Sequence, residues 1–599
     1  MNAGLVDARV GLTPRRLTIL HAFLLFVIGL GYRATFIQQA FNGSDEAWLP
    51  ALARRVVLGE VPYRDFYYGF PLLTLYKEAG LMALLGDHYT YLASRWGFAV
   101  EMSLASALAY LVVRRFAKPW LAFWATLPTV FFTTILYYYS NFNQDTVFLF
   151  LGSLAVLVWA GERRSWIAAA GVLSGLALMA KPTTAPLAIL VCAIAALRPR
   201  LLGDEPAAKI GAPAGWLWFA GGFVAVIAAV AAALALSGLL GTFAYQSLLV
   251  LGQAHPLPLR FLIYQDWPHW LVGSGRVAPF ALLIALGLVL TPLGRRLLPA
   301  VVAILALAAV LFAELIPASF PSTQGIPTFS QMEALVTALA LLLTLNLIAF
   351  VVTLGANLPP LRDRPFAAVI RRELFPPQLP LIAFSLQLLQ DYSVAGMRFS
   401  YVGTLLSIPT AILFIHGLAR TGIGFRANRW AAAVIGVWVA ATGALILQGS
   451  PYLDGPRSQL TASFAEPQLA GIHTLPANAK RVDTIVTLLE RYSRPGQPVF
   501  VFPNGQTYYN LAQRRNPTRT DWFDLWALTP AIAKEAAGRL AADPPAVILV
   551  QQYEESNFLQ KGPPLDFESE PRWSPVYDWI KAHYRKVDTV GTVDVYLPD

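Results

Sequence analysis

From Leu17 to about residue 449 the chain is a series of long apolar runs separated by short, basic segments. A run of roughly 20 mostly apolar residues is what a bilayer-spanning helix requires. About thirteen such runs can be counted, centred near residues 27, 103, 128, 152, 172, 190, 226, 285, 306, 342, 383, 408 and 439. Hydrophobic residues make up 56 % of the chain and charged residues 13 %, against about a quarter charged in soluble domains. One aqueous core cannot hide that much apolar surface, so lipid is the expected solvent for most of the length. The net charge of +10 does not indicate nucleic acid. The bases sit in loops between apolar runs rather than along a stripe. The single Cys192 excludes an internal disulfide and a cysteine metal cluster.

The basic loops alternate. Arg15 and Arg16 precede the first run, Arg114 and Arg115 follow the second, and Arg163 and Arg164 follow the fourth. Arg198, Arg295, Arg362 and Arg420 continue the pattern. The positive-inside rule then places the N-terminus in the cytoplasm and, for thirteen spans, the C-terminus outside. The first run lacks a small-residue cleavage site and reads as a retained helix rather than a signal peptide. The unusual polar residues collect on the outer side. From about Ser450 the apolar runs stop. Val482–Arg491, Ala531–Ala542 and Val576–Tyr584 read as helices, and Pro498–Pro503 and Ala546–Val550 as buried strands. The expected architecture is an α-helical polytopic membrane domain over residues 1–449, with a first outer loop at about 39–91, and a small extracytoplasmic α/β domain over 450–599.

Chemistry is sought first at Asp45-Glu46, in Phe41-Asn-Gly-Ser-Asp-Glu-Ala-Trp48 just past the first run. A carboxylate at the bilayer edge gains basicity from desolvation and suits a general base. The same residues also suit a helix N-cap beginning near Ala47. Val61–Pro71 adds Tyr63, Arg64, Asp65, Tyr67 and Tyr68. Its aromatics fit sugar stacking or an interfacial belt, and Arg64 fits either a phosphate or an ion pair with Asp65. Asn143 and Asp145 open the fourth run, where Asp145 either orients a substrate or caps the helix. Lys181 and Arg398 are outer-side cations suited to a lipid phosphate, with snorkelling and an Asp391–Arg398 surface pair as the plainer alternatives. His255, Asp266 and His269 match no strong metal-ligand spacing.

This set of motifs resembles the GT-C superfamily of polytopic glycosyltransferases, and most of all the bacterial branch of protein O-mannosyltransferases and lipid A aminoarabinose transferases. The resemblance rests on Asp45-Glu46, Gly59-Glu-Val-Pro-Tyr-Arg-Asp-Phe66, Asn143-Gln-Asp145, Leu178-Met-Ala-Lys-Pro182 and the tail segment Tyr508–Thr518. It departs at Gly69-Phe70-Pro71, where relatives often carry Lys or Asp before the proline. The resemblance implies an inverting transfer from a polyprenyl-phosphate sugar to a hydroxyl acceptor on glycan, lipid or protein, at the outer face of the bacterial inner membrane. Asp45 matches the base, with Glu46 beside it. Lys181, Arg64 and Arg398 are candidates for the leaving phosphate. Tyr63, Asp65, Tyr67, Tyr68, Asn143 and Asp145 are candidates for orienting substrate. No cofactor is required and no metal site is expected. A flippase of lipid-linked glycan would place polar residues along helix interiors. A non-catalytic envelope assembly protein would bind glycan through its tail without turnover.

Overall fold

The computed structural model describes residues 13–182 (apart from 42, 44, 116, 132–138, 162), 188, 191–192, 214–250, and 457–599 (apart from 524–528, 556–560, 565, 572). The first helix, α1 (Pro14–Ala34), starts on Thr13, whose hydroxyl accepts from Arg16 N, with proline at the first helical position. Two shorter helices, α2 (Asp45–Val57) and α3 (Leu73–Leu85), fill the expected first loop. At 13 residues each they are too short to cross a bilayer. Thr90 caps α4 (Tyr91–Arg114), and α5 (Pro119–Thr126) follows. Next come α6 (Phe142–Trp159), α7 (Arg164–Ala180) and α8 (Ala214–Leu236).

Among the described residues α1, α4, α6 and α8 are long and apolar enough to cross a membrane, and α7 is a shorter apolar helix. They answer the runs expected near 27, 103, 152, 226 and 172. The run near 128 is met by α5, which ends at Thr126 before a tight turn over Leu127–Phe131 that contains Pro128. The run near 190 falls largely outside the described residues, and those from 285 to 439 fall wholly outside.

Buried polar contacts tie the helices together. Arg33 of α1, fully buried, donates to Ser103 Oγ at 3.1 Å and Ser106 Oγ at 3.2 Å on α4. Ser153 of α6 meets Ser174 of α7 at 2.8 Å. Such contacts replace the hydrophobic drive that is missing between helices in lipid. Between α7 and α8 the backbones themselves touch. A Cβ at Gly171 would lie 2.0 Å from Phe219 O, and one at Gly222 would lie 2.1 Å from Ala168 O.

The tail folds as three layers. The strands β1 (Phe500–Phe502), β2 (Ile548–Gln551), β3 (Tyr584–Val590) and β4 (Val593–Pro598) form one sheet in the order β1-β2-β4-β3. The β1–β2 pair is parallel, with Phe500 opposite Ile548, and the other pairs are antiparallel. Alternating side chains face opposite layers, as the strand period of two dictates. Val501, Leu549 and Val595 pack against α9 (Pro476–Tyr492). Phe500, Phe502, Ile548 and Val550 pack against α11 (Pro530–Ala542) and α12 (Ser574–His583). The short α10 (Thr507–Leu511) lies between β1 and the membrane domain. The expected helices and strands of the tail are all present. The β3–β4 hairpin was not anticipated, because β3 is an edge strand with mostly exposed, polar side chains.

Candidate functional site

Glu46 and its neighbour Asp45 occupy the first turn of α2. The Glu46 carboxylate, 2 % exposed, takes a bidentate pair from Arg95 of α4 at 2.6 and 2.9 Å. Arg95, with no exposed side-chain surface, also donates to the carbonyls of Ile37, Gln39 and Ala40. Both charges are thereby matched and the guanidinium is saturated. Glu46 thus ties the start of α2 to α4.

The aromatic loop is a packed unit. Tyr63, Phe66 and Tyr68 are buried against Leu49, Leu52, Leu75 and Ala79. Tyr63 has φ +67°, a conformation costly for a bulky residue. Its hydroxyl donates to Phe70 O at 2.6 Å, and its carbonyl accepts from Gln246 and Arg519. Burial pushes the Tyr63 phenol well above its usual range. Tyr67 donates to Glu535 Oε2 at 2.6 Å, and burial with that carboxylate pushes its phenol up to about 12. Asp65 accepts from Val61 N at 2.7 Å and pairs with Arg64, whose hydrogen bond holds the carboxyl below its ordinary value. Arg64, 62 % exposed, has this adjacent residue as its partner. The two form a local surface pair.

Asn141 caps α6, its side chain accepting from Asn143 N at 2.8 Å. Asp145 is therefore not the cap. It lies one turn in, 2 % exposed, where it accepts from Thr74 Oγ1 at 2.7 Å and forms an ion pair with Lys77 of α3. Lys77 also pairs with Glu101 of α4 at 2.9 Å. Burial pulls the Lys77 ammonium down, but the charges of Asp145 and Glu101 outweigh it and hold the group above its ordinary value. The side chain still keeps 39 % of its surface accessible. On the same turn of α6, Asn143 Oδ1 accepts from Lys181 Nζ at 2.8 Å. Gln144, between them, is buried, and neither side-chain amide atom has a hydrogen-bond partner among the described residues. Two lysines, from α3 and from the end of α7, thus converge on the positive N-terminal end of α6.

An aromatic wall joins this cluster to α2. Phe70 stacks on Phe142 at 4.2 Å and meets Trp48 at 5.8 Å. Trp48 stacks on Tyr68 at 5.8 Å and meets Trp522 of the tail edge-on at 5.6 Å. Trp48 lies three residues after Asp45, on the same helical face. Of the candidate residues, Asn143, Asp145 and Lys181 gather on the first turn of α6, whereas Tyr63, Tyr67 and Tyr68 serve loop packing and docking. Arg398, like His255, Asp266 and His269, lies outside the described residues. Lys77 and Glu101 were not anticipated. Lys77 is one charge in the apolar stretch Leu72–Leu85, the only sequence signal it offers.

Residues 70–229 match the family model of dolichyl-phosphate-mannose-protein mannosyltransferases. The chain resembles GT-C membrane glycosyltransferases. The match contains Lys77, Glu101, Asn143, Asp145 and Lys181, and begins after Asp45. Together with the apolar helices it makes the chain a multi-pass membrane protein. No curated protein matches the chain. Solved structures similar to the chain include two membrane proteins bound to lipid phosphates. The oligosaccharyltransferase AglB of Archaeoglobus fulgidus, in complex with an inhibitory peptide and a dolichol-phosphate, is 13 % identical with a TM-score of 0.48, over 96 % of this chain and 74 % of that one. ArnT from Cupriavidus metallidurans, bound to undecaprenyl phosphate, is 12 % identical with a TM-score of 0.42, over 97 % of both chains.

Proposed function

We propose that the protein is an inverting glycosyltransferase that moves a sugar from a polyprenyl phosphate to a hydroxyl acceptor at the outer face of a bacterial inner membrane. The observation that carries this reading is the pair of lysines, from α3 and from the end of α7, held against the first turn of α6, inside the segment that matches the mannosyltransferase family model. In the transfer the acceptor oxygen attacks the anomeric carbon and the bond to the phosphate oxygen breaks. Negative charge grows on that phosphate, and preorganised cations stabilise it most where water is excluded. Lys77 and Lys181 meet that demand. Asp145 and Asn143 hold them in place before substrate arrives, so little reorganisation is needed. In this reading Arg64, paired with Asp65, is set aside as a phosphate ligand, and no cofactor is needed.

Asp45 takes the acceptor proton. Glu46 is committed to Arg95, so this reading assigns the base to Asp45 of the pair. The test is polyprenyl-phosphate release by the purified protein, using a panel of polyprenyl-phosphate sugars with membrane extract as acceptor. Asp45→Asn should lower turnover by roughly 100-fold or more, the usual contribution of a general base. Equal turnover by wild type and Asp45→Asn would remove Asp45 from the mechanism.

A further inference from the structure

Gln506 is fully buried, and neither atom of its side-chain amide has a hydrogen-bond partner among the described residues. A buried amide without partners costs stability, so native proteins seldom keep one without a use. Three further atoms nearby are in the same condition, Asn504 Oδ1, Thr507 Oγ1 and Trp522 Nε1. The segments are joined, since Phe523 N donates to Pro503 O at 2.8 Å. Residues 503–506 leave the carboxyl end of β1, next to its parallel partner β2, the side on which open α/β sheets take ligands.

This corner of the tail faces the start of α2. Thr507, next to Gln506, has its methyl 3.6 Å from where a Gly43 Cβ would stand, two residues before Asp45. Trp522 touches Trp48, one turn after Asp45. The orphan set comprises two acceptors, Asn504 Oδ1 and Gln506 Oε1, two donors, Gln506 Nε2 and Trp522 Nε1, and the Thr507 hydroxyl, which can do either. It carries no formal charge, and two tryptophan rings border it. Hydroxyl groups both donate and accept, and the apolar faces of sugars pack on indoles, so a neutral sugar suits this lining.

We infer that Asn504, Gln506 and Trp522 form a sugar-hydroxyl subsite that the C-terminal domain contributes beside Asp45. The inference rests on the glycosyltransferase reading for its substrate, and its test is separable from that reading. The hydroxyls belong either to the transferred sugar or to an acceptor glycan. In both cases Gln506 and Trp522 are binding residues and take no part in bond making.

The experiment uses the full chain in detergent with the near-isosteric Gln506→Leu and with Trp522→Phe. Binding of a panel of methyl glycosides is followed by saturation-transfer difference NMR, together with the thermal midpoint and the transfer kinetics. Removing an amide that has no partner in the free protein should leave the midpoint unchanged or raised. Glycoside binding should weaken about tenfold or more, since the ligand hydroxyls lose their partner. A higher KM for the lipid donor alone assigns the subsite to the transferred sugar, and a higher KM for the acceptor alone assigns it to the acceptor. Unchanged glycoside affinity in both variants, or a lowered midpoint in Gln506→Leu, would overturn the subsite. Gln506-dependent glycoside binding without polyprenyl-phosphate release from any donor would uphold the subsite and refute the glycosyltransferase reading.

Discussion

At the scale of single residues, the acidic pair that opens α2 includes one carboxylate locked in place. Glu46 is fixed in a buried pair with Arg95, while Asp45 opens α2. The sequence marks both as acids at a membrane exit but cannot separate them, because Arg95 is 49 positions away from Glu46. Asp145 was legible as a polar residue opening a helix. Its partner Lys77, 68 positions earlier, was not. Pairings at such separations are set by how helices pack, which residue spacing does not encode. The Lys77–Asp145 pair allows function to be separated from folding. Lys77→Met leaves both Asp145 and Glu101 without their shared cation and should cost about 3–5 kcal/mol of stability. It should also lower turnover about 100-fold or more. Adding Asp145→Asn removes the more deeply buried of the two stranded acids and should restore part of the thermal midpoint but not the turnover. Full recovery of activity in the double variant would assign the pair a purely structural role.

At the scale of elements, apolar periodicity was enough to locate α1, α4, α6, α7 and α8. It located α9, α11, α12, β1 and β2 of the tail equally well, but not α10 or the β3–β4 hairpin. It did not reveal α2 and α3 as helices within the first loop, since that stretch mixes aromatic, basic and apolar residues without a clean period. The most exacting contact between elements is carried by residues with no side chain. Gly171 and Gly175 of α7 stand four apart, the small-residue spacing that lets membrane helices approach closely. A Cβ at Gly175 would come 2.9 Å from Val226 Cβ, and those at Gly171 and Gly222 would strike carbonyl oxygens. Backbone atoms cannot step aside as a flexible side chain can. Gly171→Ala should therefore separate α7 from α8 and cost about 3 kcal/mol or more. Gly221→Ala, on the same stretch of α8 with open space around it, serves as the control and should be close to neutral. Thermal unfolding of the two variants in detergent checks the contrast. Equal midpoints would mean that the close approach of α7 and α8 is not maintained.

At the scale of the whole molecule, the tail is bound to the membrane domain at α2, the aromatic loop and the start of α4. Backbone bonds join Ala40 to His473 and Gln38 to His473, each at 2.7 Å. Arg519 lies over the Tyr67 ring at 4.5 Å, and Asn510 donates to the Tyr91 hydroxyl at 3.0 Å. At the centre is Arg55 of α2, which pairs with Asp521 at 2.6 Å and with Glu60, donates to the carbonyls of Thr518 and Asp65, and covers the Phe66 ring. One guanidinium therefore holds α2, the aromatic loop and the tail segment that ends in Trp522. The tail segment Tyr508–Thr518 was recognisable in sequence, but its docking was not, because the partners of Arg55 include backbone carbonyls that any residue can provide. If this junction shapes the site, weakening it should be felt in stability and in turnover together. Arg55→Met keeps the length of the apolar stem but leaves Asp521, 4 % exposed, with Asn516 and no cation. The expected cost to docking is about 3 kcal/mol or more. The wild type should unfold in one transition and Arg55→Met in two, with the tail released first and becoming sensitive to protease. Turnover should fall with the fraction of docked tail and recover when the temperature is lowered enough to restore docking. A single, unshifted transition would show that backbone pairing at His473 and ring contacts at Tyr67 hold the domains without Arg55. Two transitions with turnover unchanged would show that the tail is anchored there but does not shape the site.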